Sequence, residues 1–253
     1  MITRIQEKLV RLGRKLGDPE KDYVILGEGN ISGKDNDNTF WVKASGSSLS
    51  NLQTENLVEV YFDKVLALLE KDTLSDEEVK NGLQSAKTDT SVKAVPSVET
   101  FLHALLLRLP GVNFVGHTHP TPVNAILCSK KSVEAYSGSL FPDQIVYCGP
   151  APIYVPYTDP GLPLALRVRL EVEKYVVKRE TAPKVVLMEN HGLLALGATS
   201  EEVEQTTNMS IKVARVILGT FALGGPRFLS EENVHRIYSR PDEEYRKQVW
   251  GIK

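Results

Sequence analysis

The chain has 253 residues, 42% of them apolar and 25% charged, with a formal net charge of −2. That balance suffices for a buried core and leaves no basic excess for a nucleic-acid surface, and no stretch approaches the ~20 consecutive apolar residues that a bilayer-spanning helix needs. Cys128 and Cys148 sit in apolar surroundings and read as reduced, buried thiols, and the first 18 residues carry charges throughout without the apolar run of an export signal. A soluble cytoplasmic protein whose partners are small molecules and copies of itself is expected.

Ile5, Leu9, Leu12 and Leu16 recur at helical spacing and predict a helix over residues 1–17. Three glycines within Gly27-Glu28-Gly29-Asn30-Ile31-Ser32-Gly33 predict a turn-rich loop. Asp35-Asn36-Asp37-Asn38 predicts a hairpin turn before a strand over 39–42, and Ala44-Ser45-Gly46-Ser47-Ser48 a second small-residue loop. Residues 57–62 read as a strand, 64–71 and 76–86 as short helices. Pro96-Ser97-Val98-Glu99 opens a strong helix, with Ser97 as N-cap and Phe101, Leu102, Leu105, Leu106 and Leu109 on its apolar face. Pro110-Gly111 ends it. A strand over 113–119, a helix over 122–129, strands near 145–148 and 153–156, and a helix over 163–179 follow. Residues 183–195 predict a buried strand pair folded back at Asn190-His191-Gly192. Ser200-Glu201-Glu202 supplies the cap and acidic first turn of a helix running to about Leu223, and Gly224-Gly225-Pro226 stops it. From about residue 226 the tail is polar and partly helical. Short strands and helices mix without strict βαβ alternation, which predicts a single three-layer α/β/α domain over residues 1–253.

Histidine is scarce, five residues in all, yet two stand in His117-Thr118-His119 at the end of an apolar run. In a strand, residues i and i+2 share a face, so two imidazoles can converge on one cation at ~2.0–2.1 Å. A chance His-x-His pair is the plainer reading of the pair taken alone. His191, in Met188-Glu189-Asn190-His191-Gly192, also ends an apolar strand. Three neutral imidazoles and one open position describe a catalytic zinc-type centre. Glu99 lies in the first turn of a helix that leads directly into the His117–His119 strand. It can reach the ion as ligand or general acid/base, or merely complement the helix N-terminus. His103 shares its helix face and is kept outside the metal shell, as a packed residue or outer partner. His235 reads as solvated. The two small-residue loops and the start at Ser97 are anion-binding nests or ordinary turns. Lys43 adds a charge beside the second loop or is an ordinary surface lysine.

Gly29-Asn30-Ile31-Ser32, Ala44-Ser45-Gly46, Pro96-Ser97-Val98-Glu99, His117-Thr118-His119 and Asn190-His191-Gly192-Leu193 occur in an order and spacing that resembles the class II aldolase/adducin family, over residues from about 5 to 223. The resemblance implies a central, mostly antiparallel β-sheet and a homotetramer. It implies that His117, His119 and His191 hold a divalent ion, zinc first and manganese or cobalt as alternatives. Glu99 takes the catalytic acid/base place, and Asn30, Ser45, Gly46 and Ser97 the phosphate-binding places. The implied reaction is C–C cleavage of a ketose phosphate through a metal-stabilised enediolate, as in L-fuculose-phosphate and L-rhamnulose-phosphate aldolases. Decarboxylase, dehydratase and epimerase members share the metal platform, and the adducin head is a non-catalytic binding module. The aldolases usually have Ser-Ser-Glu where this chain has Ser97-Val98-Glu99, which leaves open a non-phosphorylated substrate or another anion. Epimerases usually carry Asp at the acidic position, so Glu99 leans toward aldol or decarboxylase chemistry. The tail around Arg240-Pro241-Asp242-Glu243 resembles the aldolase portion of bifunctional rhamnulose-phosphate aldolase/dehydrogenases, without a dehydrogenase domain, and Tyr238 is a candidate contributor to a neighbouring subunit's site or an ordinary surface tyrosine.

Overall fold

The computed structural model describes residues 2–71 and 73–240. Helix α1 (Arg4–Leu16) opens with a reciprocal cap, in which Thr3 Oγ1 accepts from the Gln6 amide and the Gln6 side chain accepts from the Thr3 amide. Strands β1 (Asn30–Lys34) and β2 (Thr39–Lys43) form the expected hairpin, and β3 (Leu57–Tyr61) pairs with β2. Helices α2 (Phe62–Leu68), α3 (Asp76–Ser85) and α4 (Thr100–Leu107) follow, then β4 (Phe114–Thr118). Next come α5 (Thr121–Leu127), the short α6 (Ser132–Ala135), α7 (Pro142–Cys148), β5 (Ile153–Val155) and α8 (Leu162–Arg179). Strands β6 (Val185–Met188) and β7 (Gly192–Gly197), then α9 (Ser200–Phe221) and α10 (Glu231–Tyr238), complete the described residues.

Seven strands among the described residues make one sheet in the order β3-β2-β1-β4-β7-β6-β5. Every pairing is antiparallel except β5 with β6. Successive side chains pass to opposite faces. Val186, Met188, Leu194 and Leu196 join one core with α2, α3, α4 and α8, while Val185, Leu187, Leu193 and Ala195 join another with α1, α5 and α9. The sheet is therefore covered on both sides, which is why β6 and β7 read as unbroken apolar runs rather than alternating ones. The layers are those expected from the sequence. No helix among the described residues is long and apolar enough to cross a membrane.

Several local expectations are corrected. Residues 30–33 are strand, not loop: Gly29, at φ +72°, makes the turn, and β1 then pairs with β4 from Asn30↔His117 to Gly33↔Phe114. Residues 145–148 are helical. Pro142 starts that helix and Gly149, at φ +79°, stops it, and a four-residue apolar run does not by itself distinguish helix from strand. The fourth helix starts at Thr100 rather than at Pro96, because Pro96 is drawn into a β-bridge with Ala44. Ser97 is consequently not its N-cap. Thr199, not Ser200, caps α9, its hydroxyl accepting from the Glu202 amide at 3.1 Å. Cys148 is buried but Cys128 is exposed, so only one thiol is a core residue. Residues 241–253, including Pro241, Asp242 and Glu243 of the tail, lie outside the described residues.

Candidate metal centre

Antiparallel pairing brings three chain segments together at one end of the central strands of the sheet. His117 is the penultimate residue of β4, with Asn30 of β1 opposite it on one side and Leu194 of β7 on the other. His191 sits in the tight turn between β6 and β7, closed by its amide donating to the Met188 carbonyl at 3.1 Å. Asn190 takes the left-handed conformation there, at φ +54°, which asparagine tolerates better than most residues. Asn124 of α5 donates to the His191 carbonyl at 3.0 Å and fixes the turn from outside. His119 lies one residue beyond β4, its amide donating to the Tyr23 carbonyl at 2.9 Å.

The three imidazoles offer nitrogens that all lie within 4.8 Å of one another. His117 Nε2 and His119 Nε2 face each other at 2.9 Å. Glu99 completes the group, with Oε1 3.0 Å from His191 Nε2 and 3.4 Å from His117 Nε2. Its side chain makes no capping bond to α4 and turns toward the histidines instead. His117 is fully buried, and its Nδ1 lies 3.0 Å from the Leu193 carbonyl, the outer hydrogen bond that characterises a metal-ligating imidazole. The donor set, three imidazole nitrogens with a carboxylate beside them, fits a zinc-type ion.

Glycine shapes the centre at Gly192. A Cβ there would stand 2.6 Å from His119 Cδ2 and 2.7 Å from the Thr118 carbonyl, so the approach of the β6–β7 turn to the histidine pair requires its absence.

The electrostatics follow from burial and proximity. Burial pushes the Glu99 carboxyl up, but the charges and hydrogen bonds of His117 and His191 outweigh it and hold it well below the usual carboxylate range. Burial likewise pulls His117 down, and the Glu99 carboxylate overcomes that and leaves it raised. His119 lies farther from a carboxylate, with Glu28 Oε1 3.7 Å from its Nδ1. Burial, with His117 and His191 adding to it, lowers it to about 3.

The remaining expected residues divide. Asn30 is buried, and its Nδ2 donates to Glu99 Oε2 while its Oδ1 has no protein partner. Ser97 Oγ accepts from the Glu99 amide at 3.3 Å. The Ala44–Pro96 bridge and the Ser45 amide, which donates to the Val95 carbonyl at 2.8 Å, set the exposed Ser45 and Gly46 alongside Ser97. His103 lies outside the cluster, fully buried, with Nδ1 2.7 Å from Ser32 Oγ. His235 is exposed on α10, as expected.

Two features escaped the sequence. Lys43 is no surface lysine: it is 2% exposed, and its Nζ donates to the carbonyls of Gly27 and Ser47, tying the two small-residue loops together. Burial lowers its pKa, against the raising effect of Glu99. Asn30 and Ser32, on one face of β1, meet Glu99, the N-cap residue of α4, and His103, one helical turn further on. Reading 30–33 as a strand would have revealed that match of i,i+2 with i,i+4.

Residues 7–218 match the family described as "Class II Aldolase and Adducin N-terminal domain", and the chain belongs to that family. It is 32% identical over 219 residues to a Bacillus subtilis (strain 168) protein named uncharacterized oxidoreductase YuxG. That match covers 82% of this chain and only 29% of the Bacillus protein's length. It is 25% identical over 243 residues to 3-oxo-tetronate 4-phosphate decarboxylase of Haemophilus influenzae (strain ATCC 51907 / DSM 11121 / KW20 / Rd), covering 93% of this chain and 96% of that one. Among solved structures, an L-fuculose 1-phosphate aldolase shares the fold at a TM-score of 0.72 and 17% identity, covering 97% of this chain and 98% of that one.

Proposed function

We propose that this protein is a divalent-metal-dependent lyase that cleaves a carbon–carbon bond of a ketose phosphate, with His117, His119 and His191 as ligands of the ion and Glu99 as the catalytic acid/base. The observation that carries the reading is the convergence of three imidazoles and one largely buried carboxylate at one end of the central strands. When bound, the ion supplies Lewis-acid stabilisation of the negative charge that C–C cleavage leaves on the substrate's carbonyl oxygen. Zinc suits three imidazoles best, and manganese or cobalt also suit nitrogen ligands.

The chain's own residues do the rest. Asn30 holds Glu99 Oε2, leaving Oε1 turned toward the histidines. In that place Glu99 relays a proton: its carboxylate takes the one that the substrate's hydroxyl gives up as the aldehyde departs and delivers it to the carbon that loses the fragment, with the reverse transfer in the synthetic direction. The amides and hydroxyls of Ser45, Gly46 and Ser97 are the candidate seat for the substrate's anionic end. Because Ser97 also receives the Glu99 amide, that seat and the catalytic carboxylate share one short segment. Val98 adds no hydroxyl to it.

A second reading is decarboxylation of a phosphorylated sugar acid, favoured by the 25% identity that spans 96% of the Haemophilus decarboxylase. It differs in the leaving fragment, carbon dioxide instead of an aldehyde, and uses the same proton delivery by Glu99. The oxidoreductase name belongs to a protein most of which this chain does not cover. Incubation of the zinc-loaded protein with ketose phosphates and with 3-oxo sugar-acid phosphates tests the two together. Aldehyde release supports aldol cleavage, and carbon dioxide release supports decarboxylation. Neither product from any substrate, with no metal taken up, would support an adducin-like binding module instead.

A further inference from the structure

The segment between α1 and β1 is shaped around the histidine pair. The Tyr23 carbonyl holds the His119 amide, and Gly29 is required at φ +72° because a Cβ there would meet the His117 carbonyl oxygen at 2.7 Å. Between them, residues 25–28 close on themselves. The Glu28 amide donates to the Ile25 carbonyl at 3.0 Å, and the Ile25 amide donates to Glu28 Oε2 at 3.0 Å. Leu26 adopts φ +52° within this turn, a conformation leucine resists, so the turn is held against local preference. With Oε2 fixed by its own turn, Glu28 Oε1 faces His119 Nδ1 at 3.7 Å. The other ring nitrogen of His119, Nε2, points into the cluster.

An imidazole that gives Nε2 to an ion keeps its proton on Nδ1. A carbonyl or carboxylate at that proton fixes the tautomer and makes the ligand more basic. His117 has the Leu193 carbonyl in this position. We propose that Glu28 does the same for His119, as a positioning residue that strengthens metal binding without touching the ion. This inference rests on the reading of the three histidines as ligands.

The test is a zinc titration of the full chain against a chromophoric chelator, for the wild type, Glu28→Gln and Asp22→Asn. Asp22 lines the same cleft of about 420 Å³ beside His119 and supplies a matched loss of charge. Its φ of +56° is one that asparagine also accepts. The wild type is expected to take up zinc, Glu28→Gln to bind it roughly 10–100-fold more weakly, and Asp22→Asn to bind it as the wild type does. In nitrogen-resolved NMR of the zinc-loaded protein, the His119 Nδ1–H signal should be protected from exchange in the wild type and lost in Glu28→Gln. This signature stays decisive even if the variant melts at a lower temperature. Equal affinity in Glu28→Gln and wild type, or equal weakening in both variants, would overturn the inference. A wild type that binds no zinc would overturn the metal reading itself.

Discussion

At Gly192 the difference between a hydrogen and a methyl group separates a formed centre from a broken one. Gly192→Ala would drive a carbon into the His119 ring and into the Thr118 carbonyl, which is backbone of β4. The variant is expected to keep its circular dichroism and to lose at least about tenfold in zinc affinity, an effect of the size produced when ligand orientation is disturbed. Unchanged affinity by chelator competition would show that the turn has slack. His103 has a different consequence. Burial, opposed by Glu99, depresses its pKa to about 3 in the folded protein, whereas in the unfolded chain it titrates near the ordinary 6.5. Between those values the unfolded chain binds more protons, so stability present above pH 6.5 is lost as the pH falls toward 3, by about 1.4 kcal/mol per pH unit for each such group. His119 adds a parallel slope in the ion-free protein. Urea unfolding of ion-free His103→Gln between pH 4 and 6 should therefore show a shallower loss of stability than the wild type. Parallel slopes would mean that His103 is protonated in the fold.

At the scale of elements, β4 is the seat of the centre because helices cover both of its faces. On the face opposite His117, Gly116 lies under α1 and α9, and a Cβ there would meet Val203 Cγ1 at 2.7 Å and Leu16 Cδ1 at 3.1 Å. Gly116→Ala overpacks that junction and is expected to cost about 1–3 kcal/mol, read by urea denaturation, with β-branched Val203 unable to swing clear. A loss below measurement would show that α9 sits more loosely. The same strand shows what the sequence revealed and what it hid. His117, His119 and His191 were legible because they stand at the ends of apolar runs, and Glu99 because it opens a helix that leads directly into the His117–His119 strand. The partners across the sheet were not. Asn30 and Ser32 fall in a glycine-rich stretch whose local preference is for turns, and only pairing with β4 makes it a strand. Ile145 to Cys148 was hidden for the converse reason. Three of its four residues are buried and the helix packs on α9 and α10, a long-range packing that no four-residue period reveals. Lys43 was ambiguous because a lysine's burial depends on which carbonyls the folded loops bring to it.

At the scale of the whole molecule, the layers followed from pattern and the centre from topology. The three histidines and Glu99, spread over more than ninety residues of sequence, meet because β1, β4 and β7 are neighbours in the sheet. The homotetramer that the family resemblance implies, which we propose for this chain, belongs to this scale. Light scattering of the purified protein should give four times the 28.1 kDa chain mass, and a monomer mass would remove that part of the proposal. The most direct measurement of the central claim is metal content by mass spectrometry of the purified wild type, of Glu99→Gln and of the double variant His117→Ala/His119→Ala, with turnover measured on the first two. The account predicts close to one divalent ion per chain in the wild type and none in the double variant. Glu99→Gln should retain the ion while losing about 10²–10⁴-fold in turnover. No ion in the wild type after zinc is added, or near-native turnover in Glu99→Gln with the ion bound, would contradict it.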